Sequence, residues 1–197
     1  LFNSSLDFLD GLGLGEGLRA RGAPLAAIRL IDISGALVRA PTVTFKAAEI
    51  GQELFGWNIP NWLIRRELSE AVRTIPGSDF RPGIALTGLL PRDQEVIATL
   101  SDRSRIAARM VIAADGRDSP TRDALGIGAR TLRYGQKALA FAVTHPIPHG
   151  NVSTEIHRTG GPFTLVPLLD RDGKPASAIV WMETGPEVAR LAALPVA

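Results

Sequence analysis

An unbroken apolar run, Met110-Val111-Ile112-Ala113-Ala114, ends at Asp115-Gly116 and gives way to Ser119-Pro120. A strand covered on both faces reads this way, because no side of it has to be polar. Gly116 lets the chain turn sharply, Ser119 suits a helix N-cap, and Pro120 suits the first helical position. Arg122, Ala124 and Leu125 continue the helix, and Gly126 or Gly128 can end it. The predicted unit is a buried strand, an acidic turn and a helix start. Such a turn gathers free N–H groups and the positive end of the helix dipole, which suits a phosphate. An ordinary strand-to-helix connection has the same pattern, so both readings stay open on the pattern alone.

Elsewhere the periodicity predicts a mixed chain. Ser4 or Ser5 can cap a short helix with Leu6, Leu9 and Leu12 inside. The glycines between Gly11 and Gly17 miss the G-x-G-x-x-G spacing and follow a helix, so a helix end and loop is expected there. Leu25–Ile33 and Ala36–Phe45 read as a hairpin around Ser34-Gly35. Phe55 to Asn61 is extended, with Asn61 capping a helix whose stripe is Ile64, Leu68, Ala71 and Val72. Arg65, Arg66, Glu67 and Glu70 then face solvent. A strand is expected over Phe80–Leu89 with a bulge at Pro82-Gly83, and a hairpin from Glu95–Leu100 and Arg105–Ala114. A meander of strands follows Tyr134, over 138–144, 151–158, 162–169 and 176–183, with a last helix from Pro186 through Leu194.

Composition narrows the chemistry. Of the 197 residues, 45% are hydrophobic and 21% charged, as in an ordinary globular protein. The absence of cysteine excludes disulfides, thiolate metal sites and thiol nucleophiles. A net charge of only +2 with 6% aromatics argues against a nucleic-acid surface. His145 and His149 stand four apart, but Pro146 and Pro148 forbid the helix that would align them on a metal. His157 has no acidic neighbour at ligand spacing and reads as structural. No G-x-S-x-G motif supports hydrolase chemistry. Asp115 and Asp118 are favoured as charged groups beside a helix start, against an acid/base role.

The segment V-I-A-A-D-G-R-D-S-P-T-R (111–122) resembles the "DG" motif of the flavoprotein aromatic hydroxylases typified by p-hydroxybenzoate hydroxylase. Leu9–Leu18, Phe55–Asn61 with the following helix, Tyr134-Gly135-Gln136 and Gly161–Leu168 are similar to landmarks of the ubiquinone-biosynthesis branch, in the same order. The resemblance implies an α/β (α+β) fold, part of a Rossmann-like FAD-binding domain with an attached antiparallel or mixed β-sheet substrate domain. Residues 1–24 and 46–133 would form the FAD-binding part, and 25–45 and 134–197 the sheet domain. It further implies an FAD-dependent monooxygenase that uses NAD(P)H and O2 on a polyprenylated phenol or quinol. Asn61, Asp115, Gly116 and Ser119 are the implied cofactor-binding residues. A cytoplasmic protein with peripheral contact at the inner membrane, and partners in a ubiquinone-biosynthesis complex, are implied as well. The family's opening G-x-G-x-x-G and later G-D motifs have no counterpart here. The chain is therefore expected to be a central piece that alone is flavin-free and inactive. A non-catalytic binding module and a flavin-dependent prenyl reductase stay open as alternatives.

Overall fold

The computed structural model describes residues 1–35, 40–158 and 160–195. Two compact units emerge, Leu1–Thr74 with Arg133–Ala197, and Ile75–Leu132. The first unit opens with α1 (Asn3–Gly11) and α2 (Gly15–Arg19). Leu6 and Leu9 are buried as their spacing predicts, but Leu12 is 56% exposed. Neither Ser4 nor Ser5 caps the helix. The N-cap position is Phe2, and the Asn3 amide reaches across to the Leu54 carbonyl at 2.8 Å, which sets the start earlier. The glycine-rich stretch is a turn at Gly13 (φ 73) followed by α2, whose Leu18 packs with Leu9 and Leu63 in one apolar cluster.

Four short strands follow or surround this cluster: β1 (Ala23–Leu25), β2 (Ala27–Asp32), β3 (Val43–Lys46) and β4 (Gly56–Asn58). The strand expected over Leu25–Ile33 is split at Ala26. There the carbonyl accepts from Ala47 and the N–H donates to Asn151, so the chain leaves the β1–β4 pair for a second sheet. β2 and β3 do pair antiparallel around Ser34, whose N–H donates to Asp32 at 2.9 Å; expected strand positions 36–39 lie outside the described residues. α3 (Asn61–Thr74) is capped in place by Pro60, not Asn61, since the Pro60 carbonyl accepts from Leu63 and Ile64. Its buried residue is Leu63, while Leu68 is 37% exposed, because Leu63 is the side chain that meets the cluster. Glu67 is not simply solvated; it pairs with Arg21 at 2.9 Å and Arg66 at 3.0 Å.

The second unit holds β5 (Leu86–Pro91), β6 (Val96–Leu100) and β7 (Arg105–Ala108), an antiparallel three-stranded sheet, and α4 (Pro120–Ala124). Pro82-Gly83 forms a turn before the first strand, and the bulge sits at Leu86–Gly88 instead. The buried strand expected over Met110–Ala114 is not formed. β7 stops at Ala108, and Met110 and Ile112 are 73% and 82% exposed. A strand exists only through its partners' hydrogen bonds, and no described segment pairs with this run.

The remaining strands, β8 (Gln136–Thr144), β9 (Val152–His157), β10 (Phe163–Arg171) and β11 (Lys174–Thr184), complete the first unit with α5 (Gly185–Ala192), which ends before the expected Leu194. They join β2 and β3 in a six-stranded sheet of order β3-β2-β9-β10-β11-β8. This is not a plain meander. β8 lies at the far edge beside β11, and β9 pairs parallel with β2. Pro146 and Pro148 explain the break, since proline cannot donate to a ladder and ends the strand before it can turn back on itself. At the other end, Glu183 is 5% exposed and ion-paired to Arg158 at 3.1 Å, and Trp181 Nε1 donates to it at 3.3 Å.

Two stability outcomes follow from this packing. Leu18→Ala should cost about 2–5 kcal/mol in urea unfolding, against a change within about 0.5 kcal/mol for exposed Leu12→Ala. Gly160→Ala should also destabilise, because φ is +102 there and a Cβ would collide with the Glu183 carboxylate.

Candidate functional site

Alternation along the strands divides the six-stranded sheet into two working faces. Cross-strand register places Phe141, Ile179, Leu165, Thr154 and Arg29 in one row. A second row runs Val143, Ser177, Pro167. With Phe163 and Trp181, packed edge to face at 5.5 Å, the first row together with Val143 and Ser177 floors a cavity of about 570 Å³. The segment after β8 forms its wall, bringing His145, Ile147, Pro148 and His149 over the floor. The two prolines that stopped the strand therefore also build the pocket.

The polar end of this cavity is ordered. His149 Nδ1 accepts from the Asn151 N–H at 3.0 Å, so its Nε2 carries the proton and donates to the Leu168 carbonyl at 3.0 Å. His145 is held the other way round. Its Nδ1–H donates to the Ile147 carbonyl at 2.7 Å, leaving Nε2 to accept from the Ser177 hydroxyl at 2.9 Å. Both rings are thus committed to backbone and hydroxyl partners. Among the described residues no group of three His, Asp or Glu is arranged to hold a metal ion. His157, expected to lack an acidic neighbour, pairs with Glu155 at 3.0 Å on the same strand.

Asn61 lines a second cavity, of about 700 Å³, on the opposite face of the same sheet. Its floor is Ala140, Ala142, Val166, Leu168, Ala178 and Val180, and its rim includes Asn58 and Pro60. Asn58 Nδ2 is buried with no hydrogen-bond partner, an uncompensated donor that a ligand acceptor would satisfy. Small side chains along this floor with amides at one edge fit a planar ring that accepts hydrogen bonds.

Asp115, Gly116 and Ser119 come together in the second unit. Gly116 turns at φ 88, and Ser119 Oγ accepts from the Arg122 N–H at 3.0 Å as the expected cap. The Ser119 and Thr121 hydroxyls, with the Thr121 N–H at 3.0 Å, hold the Asp115 carboxyl well below the usual carboxylate range. The helix end closes as a Schellman motif, with Gly126 N–H on Asp123 and Ile127 N–H on Arg122. One expectation is corrected here. The first N–H groups of α4 are not free for a phosphate: Pro120 has none, and Thr121 and Arg122 donate to Asp115 and Ser119. Beside this turn the Arg122 Nε is buried without a hydrogen-bond partner.

The sequence names Asn61, Asp115, Gly116 and Ser119 as candidate cofactor-binding residues; Asn58, Ser177 and the pairing of His145 stand out only in the structure. A polar residue on a strand just before the Asn61 helix was the available signal for Asn58. Ser177 had none, since its partner lies 32 positions away.

Ser119→Ala should cost about 0.5–2 kcal/mol through loss of the cap, read by denaturant unfolding. Asp115→Asn should destabilise at neutral pH. Because the folded state depresses the Asp115 pKa, its contribution is present above about pH 4 and fades as pH falls toward the folded pKa. The wild-type and Asp115→Asn stability curves should therefore converge in acid; a constant gap would contradict this.

The chain is 33% identical over 187 residues to a ubiquinone hydroxylase, UbiL, of Rhodospirillum rubrum, covering 95% of this chain and 42% of that protein. It is 26% identical over 189 residues to the 3-demethoxyubiquinol 3-hydroxylase of Escherichia coli, covering 95% and 46%. The chain thus spans about half the length of these relatives. Among solved structures, Pseudomonas aeruginosa PqsL in complex with 2-aminobenzoylacetate superposes at TM-score 0.78 and 17% identity, over 97% of this chain and 51% of that one. Klebsiella pneumoniae HpxO complexed with FAD and uric acid gives 0.67 and 20%, over 91% and 46%. These share the fold. An FAD binding domain model matches residues 1–189, nearly the whole length, and the chain therefore belongs to the FAD-binding domain family.

Proposed function

We propose that the protein is an FAD-dependent monooxygenase that hydroxylates the aromatic ring of a polyprenylated phenol or quinol, with NAD(P)H and O2 as co-substrates. The observation that carries the substrate side is the 570 Å³ cavity, apolar along Phe141, Leu165, Ile179 and Trp181 and polar at Ser177 and His145. Its size is that of a small-molecule site, and an apolar ring with a hydroxyl at one end matches its lining. The names of the two ubiquinone-pathway relatives point to the same substrate class.

The residues present fit FAD. Bound FAD supplies the oxygen-transfer chemistry that side chains lack. Asn58, with its unpartnered amide, and Asn61 would hold an acceptor edge of its ring. In the second unit Asp115, Gly116 and Ser119 are the proposed cofactor-binding residues, with Asp115 and Ser119 fixing the Gly116 turn. In this reading residues 1–24 and 46–133 belong to the FAD-binding part, and 25–45 and 134–197 to the sheet that covers substrate. No helix among the described residues is long and apolar enough to cross a membrane. The proposed access to a polyprenyl tail is peripheral contact with the inner membrane from the cytoplasmic side, with other enzymes of the pathway as partners.

The full-length protein should purify with bound FAD and consume O2 with NAD(P)H when a short-chain prenylphenol is added. Turnover without O2 would favour a prenyl reductase instead. Asn58→Leu and Asn61→Ala should each weaken FAD binding about tenfold, roughly 1.4 kcal/mol. Unchanged flavin titrations would remove these residues from the site. The 197-residue chain alone should be flavin-free, and a stoichiometric FAD spectrum would refute that.

A further inference from the structure

We infer that Trp181 caps the 570 Å³ cavity and sets how much of a ligand's tail is held inside, with Glu183 and Arg158 as the residues that position it. The inference rests on the proposed prenylated phenol or quinol substrate. Alternation along β11 puts Ser177, Ile179, Trp181 and Glu183 on the same face of the sheet. Ser177, Ile179 and Trp181 line the cavity, whereas Glu183 and Arg158 do not. From Ser177 to Trp181 the strand covers about 13 Å. A ring with its hydroxyl at the Ser177 end and its first prenyl unit take up that length. The next unit meets the indole.

The indole is held in place by its neighbours. Phe163 packs against it edge to face at 5.5 Å. The Arg158 guanidinium lies over the ring, its Cζ 5.3 Å from the ring centroid, an attraction between a cation and a π face. Trp181 Nε1 donates to Glu183 Oε1 at 3.3 Å, and Arg158 pairs with the same oxygen at 3.1 Å. One carboxylate thus fixes both the edge of the indole and the cation over its face. The two charged residues act on a ligand only through the ring.

Packing alone does not ask for this arrangement. Glu183 is 5% exposed, and burying a charge costs free energy that its partner only offsets. Its carboxylate also occupies the space that a Cβ on Gly160 would take, and Gly160 sits at φ +102. An apolar side chain of similar volume at position 183 would fill the site with neither demand. What the carboxylate adds is a fixed orientation for Trp181, which is itself only half-buried. A cap that cannot swing aside holds the cavity at one length.

The test uses the full-length protein and phenols carrying no tail or one, two or three prenyl units, with Kd from isothermal titration. In wild type the first unit should tighten binding about tenfold and the second by no more than about twofold. In Trp181→Ala the second unit should add about tenfold, and in Trp181→Phe, which keeps an aromatic ring in the strand, about threefold. Glu183→Gln and Arg158→Met leave the indole present but unfixed. In each, the second unit should gain about threefold while the tail-less phenol binds within about twofold of wild type. Wild-type affinity that keeps rising through the third unit, or a plateau unmoved in both Trp181 variants, would overturn the cap while leaving the substrate reading intact. So would an equal loss at every tail length, which marks a structural role alone. A plateau moved by the Trp181 variants but not by Glu183→Gln or Arg158→Met would overturn the positioning role of those two residues. Failure of wild type to bind any of the phenols would overturn the substrate reading as well.

Discussion

The parallel pairing of β2 with β9 is the contact on which the first unit depends. Ala27–Asp32 meets Val152–His157, segments separated by more than a hundred residues, and the register aligns Arg29 with Thr154. Without it, β2 and β3 would be an isolated hairpin, and two strands alone are marginal in water. Register also decides which side chains share a face, since a slip by one residue would invert every position on the strand. The 570 Å³ cavity takes Arg29 and Thr154 into its lining from this alignment.

The two faces differ in character for reasons visible in the strands. One carries large aromatic and aliphatic groups, with Ser177 and His145 at one end and Thr154 and Arg29 at the other. The other carries alanines and valines, leaving a flat floor beside the start of α3. A bulky, one-ended pocket suits a substituted ring with a hydroxyl, while the flat floor with amides at its rim suits a larger planar group. Alternation along one set of strands is enough to produce both.

In the second unit, satisfaction of polar groups shaped the outcome more than dipole arguments did. The Asp115 carboxylate takes the helix N–H and hydroxyl groups that an external anion would use. Gly116 sits in that turn at φ 88, and the nearby Arg122 Nε is buried without a partner. The family resemblance and this geometry are compatible only if the turn positions the backbone and does not act as a bare phosphate cradle.

Local chemistry was legible from the residues alone. The Ser119-Pro120 helix start, the glycine-terminated α4, the hairpins at Ser34 and Ser101–Ser104, and the β10–β11 hairpin all depend on near neighbours. The ordered motifs sufficed for the family as well. Tertiary structure decided the rest, because those outcomes depend on partners distant in sequence. Leu63 displaced Leu68 as the buried face of α3 because Leu9 and Leu18 lie opposite it. Met110–Ala114 carried the pattern of a buried strand but pairs with no described segment, and Met110 and Ile112 are exposed. Ser177 became part of a candidate site only because β11 carries it under His145. Periodicity can say which side chains avoid water; only the assembled sheet determines what stands opposite them.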